Sequence, residues 1–403
     1  MTSILISHPH VAAVAHGFAA SLERADKLSR FATGVAFHGS KPGGRLVARL
    51  ARHRPVLGNR ILWDVRPEHL LSLPLVELGA RGLGRLLKAT GSATTVYDAI
   101  FSAHDAAVAA WPWPPGTTDV YAYEDGALMT FRRAARSDLG RIWDLPLPHH
   151  ATIEELLRVE ERRWPGALDG SRRLTPEWKR RRKDEELSLS TKISVASGFT
   201  RSSLEGLDVR QPIVTVPYGF PVEAFQPRSQ APRGVFTVLS VGSHDLRKGT
   251  PYLLEAWLRA GIPDAELHLI GPLRLSRSFL DRYAGIFKHW PHVARSDLQS
   301  RYARADLLAF PTLGDGFGLV MQEAMCCATP VLTTPCGGGP ECITSGVDGW
   351  LVPPRSVDAL VERFRFAATH RDLLFEMGKA ARLRAERWTW RDAQDHLVAA
   401  LSS

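Results

Sequence analysis

From Val235 to Pro353 the chain alternates short apolar runs with helical ones. VFTVLSVG leads into TPYLLEAWLRA, AELHLIG into an Arg- and Tyr-rich segment ending near 304, ADLLAFP into LVMQEAMCC, and PVLTTP into PECITS and WLVPP. Strands alternating with helices imply parallel sheets covered on both faces. The first half follows the same plan. SILIS precedes VAAVAHGFAASLERA, DVYAYEDGALMTFRRAAR is strand, acidic loop and helix, RIWDLPLPHH is a strand entering a proline-punctuated loop, and ISVASGFTRSSL and PIVTVPYGFPVEAFQP add further strands. FPVEAFQPRSQAPRG, between 220 and 234, has linker composition. The expectation is an α/β protein of two Rossmann-like, doubly wound domains facing across a cleft: residues 1–220, and residues 221–385, with a terminal helix near 386–403 closing back onto the first.

Composition narrows the function classes. A chain of 403 residues, 44% hydrophobic, has the apolar surface for sizeable cores and the length of two or three domains. The four cysteines, Cys326, Cys327, Cys336 and Cys342, have neither zinc-site spacing nor the density of a disulfide scaffold, which fits a reducing cytoplasm. MTSILISHPH lacks the basic and apolar parts of an export signal, and no apolar run reaches membrane-span length. A net charge of +9 suits an acidic partner. WKRRRKDEE at 178–186 balances its bases with acids and reads as the polar face of a helix, and no nucleic-acid-binding motif accompanies it. Peripheral attachment to an anionic membrane surface stays compatible with the charge.

GDGFGLVMQEAMCCATPVLTTPCGGGPE, residues 314–341, carries the chemistry. In an open parallel sheet, ligands bind beyond the carboxyl ends of the strands, where loops enter helices. Here Gly316, Phe317, Gly318 and Leu319 offer backbone N–H groups to an anion, Asp315 lies in the loop, and Glu323 lies in the following helix. A carboxylate accepts both hydroxyls of a vicinal diol, which suits Glu323 to a ribose and Asp315 to a hexose, while an acid early in a helix also complements the macrodipole. VLSVGSHDLRKGTPYLLEAW places Arg247 and Lys248 in another strand-to-helix loop, where a cation can stabilise a departing diphosphate. Diol acceptors, anion-binding N–H groups and cations describe a nucleotide-sugar site. No GxGxxG follows the first strand.

LRKGTPYLLEAW, DGFGLVMQEAM, TPVLTTPCGGGPE and GVDGWLVPP, in this order over roughly 212–360, resemble the retaining glycosyltransferases of family 4, which have the GT-B fold. HPH, YAYEDGAL and SVASGFTRSSL…VPYGF resemble that family's acceptor domain less specifically. The resemblance implies that Glu323 holds the ribose, Lys248 the phosphates, Gly316 to Leu319 the diphosphate and sugar, and backbone around His292 and Val293 the base. Two positions depart from the pattern. The family's first acid is usually Glu where this chain has Asp315, and an Arg usually follows Val-Gly where this chain has Ser243. Arg247 beside Lys248 is the candidate to compensate.

The resemblance further implies transfer with retention, the leaving diphosphate oxygen assisting the acceptor hydroxyl on the same face of the sugar. The chain contains no Asp-x-Asp triplet, so Lys248 and the helix N-terminus, rather than a metal or other cofactor, are expected to carry the phosphate charge. On the acceptor side, Glu124 and Asp125 follow a strand. Asp144, His149 and His150 compete for the place of the family's usual histidine, and His8 and His10 are further candidates. Trp388 and Trp390 are expected in the core under the last helix. The expected partners are a nucleotide sugar and a saccharide or lipid-linked saccharide, in bacterial-type surface polysaccharide synthesis at the inner face of the plasma membrane or in the cytoplasm. Two other readings use the same residues: a nucleotide-sugar epimerase, and a nucleotide-sugar-binding protein without turnover, for which Ser243 and Asp315 are the hints.

Overall fold

A computed structural model describes residues 2–51, 55–79, 93–168, 175–232 and 234–402. The first half contributes β1 (Ile4–His8), β2 (Leu28–Thr33), β3 (Phe37–His38), β4 (Ile61–Leu62), β5 (Leu70–Ser72), β6 (Asp119–Tyr123), β7 (Gly140–Leu145), β8 (Lys192–Val195) and β9 (Ile213–Thr215). Seven of these form a sheet in the order β5-β2-β1-β6-β7-β8-β9, every pair parallel, while β3 and β4 make a small separate ribbon. The second half contributes β10 (Phe236–Val241), β11 (Ala265–Ile270), β12 (Lys288–Trp290), β13 (Leu307–Phe310), β14 (Val331–Thr333) and β15 (Gly349–Leu351). They form a second parallel sheet, ordered β12-β11-β10-β13-β14-β15. Both sheets reverse direction of winding beside their first strand, the arrangement that opens a ligand crevice at the carboxyl ends.

The uninterrupted apolar strands have the cause expected of them. Ile4 and Ile6 enter a core with Phe18, Leu22 and Tyr121, whereas Leu5 between them enters the core of Val120, Phe131 and Trp143. In the second sheet Leu307 and Ala309 face one core, and Leu308 and Phe310 the other. Successive side chains point to opposite faces of a strand, so a strand covered twice needs apolar residues at every position. Each such aliphatic side chain contributes about 1.5–3 kcal/mol when fully buried.

The last helix, Trp390–Ser402, packs on Ala13–Arg24 as expected, with Val398 and Leu401 in the first domain's core and Ser21 Oγ donating to Asp395 Oδ1 at 2.7 Å. Trp388 and Trp390 are only half-buried. They belong to the crossover, where Trp388 Nε1 donates to Pro217 O at 3.1 Å and Trp390 stacks parallel to Tyr218 at 6.0 Å. The charged run at 178–186 forms a helix, Glu177–Leu189, but one face is turned inward: Arg182 bonds Asp105 at 2.7 Å and Glu186 at 3.0 Å, and both carboxylates are fully buried.

One segment between β7 and β8 packs against the second domain. From the helix His150–Arg163 and the turn after it, Leu156 and Ala167 join the second domain's core with Val238, Tyr252 and Leu253. Glu160, fully buried, accepts from Tyr252 Oη at 2.7 Å and Arg355 Nε at 2.6 Å. A buried carboxylate persists only when paired, and these partners supply the pairing across the domain boundary. No helix among the described residues is long and apolar enough to cross a membrane.

Candidate active site

The loops leaving β10 and β13 meet at the point where the second sheet reverses. Asp245 fixes the first loop, accepting from the Lys248 backbone N–H at 2.9 Å and from Ser243 Oγ at 3.1 Å. Lys248 Nζ then pairs with Asp315 Oδ2 in the second loop and lies 4.8 Å from the Phe310 ring centroid. Arg247 donates to Gly314 O at 2.7 Å and approaches Asp315 Oδ1 at 3.5 Å. Two cations thus converge on one carboxylate. Burial lowers the Lys248 pKa, and Asp315 opposes that shift.

Gly318, with φ +96°, starts the helix Leu319–Cys326, which carries Glu323. Tyr302 donates its hydroxyl to Glu323 Oε2 at 2.9 Å, and burial raises the Glu323 pKa. Val293, in the loop after β12, is half-buried against the same core. Phe317 turns its ring into that core, leaving only its backbone for a ligand. The glycines around it have packing reasons as well. A Cβ on Gly338 would meet the Phe317 ring at 2.6 Å, and one on Gly316 would overlap the Pro146 carbonyl oxygen. Gly316 O also accepts from Ser197 Oγ at 2.6 Å, so the first domain fixes this loop from two sides.

The acceptor-side candidates divide. Glu124 and Asp125 lie together beyond β6: Lys183 reaches Glu124 at 2.9 Å, and Lys179 reaches Asp125 at 3.0 Å and Asp98 at 2.6 Å. Asp125 holds φ +71°, a left-handed conformation that Asp tolerates, and donates its N–H to Glu186 Oε2 at 2.9 Å. Burial raises the Glu124 pKa, and Lys183 opposes it. His149 and His150 lie after β7 with ring centroids 4.1 Å apart. His150 Nε2 is 2.7 Å from Asp184 Oδ1, and the buried His149 imidazole accepts from the Ala151 N–H at 3.3 Å. Its pKa falls to about 4 through burial and then the neighbouring His150. These two histidines and Asp184 each bring one ligand atom within 4.8 Å of the others, and the His150–Asp184 hydrogen bond accounts for much of that approach.

Asp144 adjoins this group, the Glu124 N–H donating to its backbone carbonyl at 3.0 Å, but its carboxylate has other partners. It is buried under the crossover, accepts from Tyr121 Oη, and borders a cavity of about 30 Å³ with Tyr123, Ser194, Tyr218 and Trp390. Burial pushes its pKa up to about 7. His8 ends β1 and His10 lies just beyond it, with His8 edge-on to Tyr123 at 4.6 Å. Sequence reasoning missed Tyr302, the partner of Glu323, and Lys179 and Lys183, which neutralise the acidic loop. The lysine spacing of four was a legible helical signal, but its target was 54–81 residues away and only the tertiary structure supplies it.

Residues 235–369 match the family described as Glycosyl transferases group 1. A D-inositol 3-phosphate glycosyltransferase of Arthrobacter sp. (strain FB24) is 30% identical over 283 residues, covering 63% of this chain and 64% of that protein. A protein of the same name from Paenarthrobacter aurescens (strain TC1) is 28% identical over 281 residues, covering 63% and 66%. The chain thus matches just under two thirds of the length of these relatives. Among solved structures, Anabaena Alr3699/HepE in complex with UDP and glucose superposes with a TM-score of 0.64 at 13% identity over all of both chains. Sucrose-phosphate synthase from Thermosynechococcus elongatus gives 0.61 at 16%, covering 100% of this chain and 98% of that one. Residues 235–369 thus form a group 1 glycosyl transferase domain, within a chain that has the GT-B fold of these solved structures.

Proposed function

We propose that the protein is a retaining glycosyltransferase that moves a sugar from a nucleotide diphosphate sugar to a saccharide or lipid-linked saccharide, in cytoplasmic synthesis of a bacterial surface polysaccharide. The observation that carries this reading is the convergence of Lys248, Arg247 and Asp315 at the switch point of the second sheet, beside the helix bearing Glu323. Glu323 accepts the ribose hydroxyls, with Tyr302 orienting its carboxylate. Lys248, Arg247 and the N–H groups of Gly316 to Leu319 stabilise the departing diphosphate, the role a divalent metal fills in other transferases. Ser243 and the loop bearing Val293 border the phosphates and the base. Asp315 holds Lys248 in place and faces the transferred sugar, and the diphosphate oxygen receives the proton of the attacking hydroxyl on the same face. Among the acceptor candidates, Glu124, Asp125, His149 and His150 gather against Lys183 and Asp184 of one helix, whereas the Asp144 carboxylate accepts from Tyr121 beneath the crossover. The net charge of +9 suits peripheral attachment at the inner membrane face.

Calorimetry with a panel of UDP-, GDP- and ADP-sugars tests the donor site. Selective binding near micromolar Kd, weakened about tenfold or more by Glu323→Ala, is expected. Absence of binding to every nucleotide sugar overturns the reading. Product analysis with a bound donor and oligosaccharide acceptors separates transfer from epimerisation or binding without turnover, and the anomeric configuration of the product tests retention.

A further inference from the structure

The first sheet also reverses, between β1 and β6, and residues at the ends of these strands join the helix Ala93–Ala110 in a continuous aromatic cluster. Tyr97 and Phe101, on the helix Ala93–Ala110, lie 4.3 Å apart by ring centroids, and His10 is 5.9 Å and 5.8 Å from them. His8 stands 6.2 Å from Phe101 and is edge-on to Tyr123. Phe101 is buried beneath this surface, while Tyr97, 48% exposed, is its solvent face. The loop after β6 rests on it, since a Cβ on Gly126 would meet Phe101 at 3.3 Å. That loop carries Glu124 and Asp125, and Glu124 interacts with His150. The loop before His150 touches Gly316 through Pro146, so a chain of contacts joins the aromatic surface to the phosphate-facing loop.

Among the described residues, the cations around this cluster are already paired with carboxylates. Lys179 bonds Asp98 and Asp125, Lys183 bonds Glu124, and Arg60 bonds Glu77 at 2.6 Å. Three cations therefore meet four carboxylates. Burial pushes the His8 pKa down to about 4, keeping that ring neutral near pH 7. Cations already engaged by carboxylates offer little to an anionic ligand, whereas the apolar C–H face of a sugar ring packs on an aromatic ring and its hydroxyls meet the rim's carboxylates and lysines.

We propose that Tyr97, with Phe101, His8 and His10, forms an acceptor subsite that binds an uncharged pyranose unit of a glycan in preference to a phosphorylated sugar or polyol. The proposal rests on the transferase reading above. Tyr97 contributes ring contact and takes no part in the chemistry.

Wild-type protein, Tyr97→Ala and Tyr97→Phe are assayed with neutral methyl glycosides and oligosaccharides, with the matching sugar phosphates, and with the neutral sugars attached to a short isoprenoid diphosphate. Donor Kd is measured in parallel by calorimetry, and saccharide binding by saturation-transfer NMR. Neutral sugars are expected to outperform their phosphates. Tyr97→Ala is expected to raise acceptor KM about tenfold with kcat and donor Kd unchanged, and Tyr97→Phe to behave as wild type. Turnover of free saccharides places the pyranose in a soluble glycan, and turnover only of isoprenoid-linked sugars places it on a lipid carrier; either outcome supports the subsite. Equal or better use of the phosphates, or an unchanged KM in Tyr97→Ala, overturns it. If no nucleotide sugar binds, the transferase reading fails, and saturation transfer decides the subsite alone: a saccharide signal lost in Tyr97→Ala supports it, and no signal overturns it.

Discussion

Lys248 and Asp315, 67 residues apart in the chain, form an ion pair where the second sheet reverses its winding. The lysine is held by burial on one side and by a carboxylate on the other, which fixes its ammonium before any ligand arrives. A pre-placed cation costs no reorganisation as charge develops on a leaving group. Lys248→Met is therefore expected to lower kcat about 10²–10³-fold with a smaller change in donor affinity, and Lys248→Arg to recover part of the loss. Steady-state kinetics with direct donor titration checks this. Activity of Lys248→Met within about threefold of wild type would remove Lys248 from the mechanism.

Gly316 tests whether the two domains must touch to shape the donor loop. A Cβ there overlaps the Pro146 carbonyl oxygen, a backbone atom that cannot rotate away. Gly316→Ala should cost about 1–3 kcal/mol and most of the activity. Gly79→Ala, whose Cβ meets nothing within 4 Å among the described residues, should leave activity unchanged and cost no stability. Thermal melts and turnover of the two variants make the comparison.

Glu160 joins the domains through Tyr252 and Arg355. Removing it leaves a buried hydroxyl and a partly exposed guanidinium without their acceptor, so Glu160→Ala is expected to cost about 2–4 kcal/mol. In a double-mutant cycle with Arg355→Ala, a favourable coupling of about 1 kcal/mol or more is expected. Denaturant titrations read both values, and additive effects would show that the pair contributes nothing of its own.

Asp144 gives a pH signature. Its folded pKa, raised by burial to about 7, exceeds the ordinary value of 3.8, so the folded state holds the proton more tightly than the unfolded chain. Stability from this group is full below about pH 4, falls as pH rises through the interval, and is lost above pH 7, at about 1.4 kcal/mol per unit of difference. Asp144→Asn, which keeps the shape without the ionisable proton, should melt higher than wild type at pH 8 and close to it at pH 4.5. Equal melting curves at pH 8 would contradict the assignment.

The architecture was legible because parallel strands buried on both faces leave an unmistakable pattern. ADLLAFP and VFTVLSVG announce β13 and β10, and the loops after them name Asp315, Lys248 and Glu323 before any fold is known. Weaker strands were not legible: Leu28–Thr33 contains Ser and Arg, and Leu70–Ser72 and Lys288–Trp290 are three residues each, too short to show a period. The basic run at 178–186 displayed its helix, but its role depended on Asp98, Glu124 and Asp125, which sequence spacing cannot connect to it.

Local sequence determined which segments became strands, where their loops lay, and which polar residues those loops carried, because backbone periodicity and turn chemistry act over a few residues. Tertiary structure alone decided which of those residues meet. It brought Lys248 to Asp315, placed Tyr302 behind Glu323, set the Asp144 carboxylate against Tyr121 at the edge of a cavity, and set Pro146 against Gly316. These contacts arise from the winding of two sheets and the packing of one domain on the other, and burial and pairing at those contacts fix the charges on which the chemistry depends.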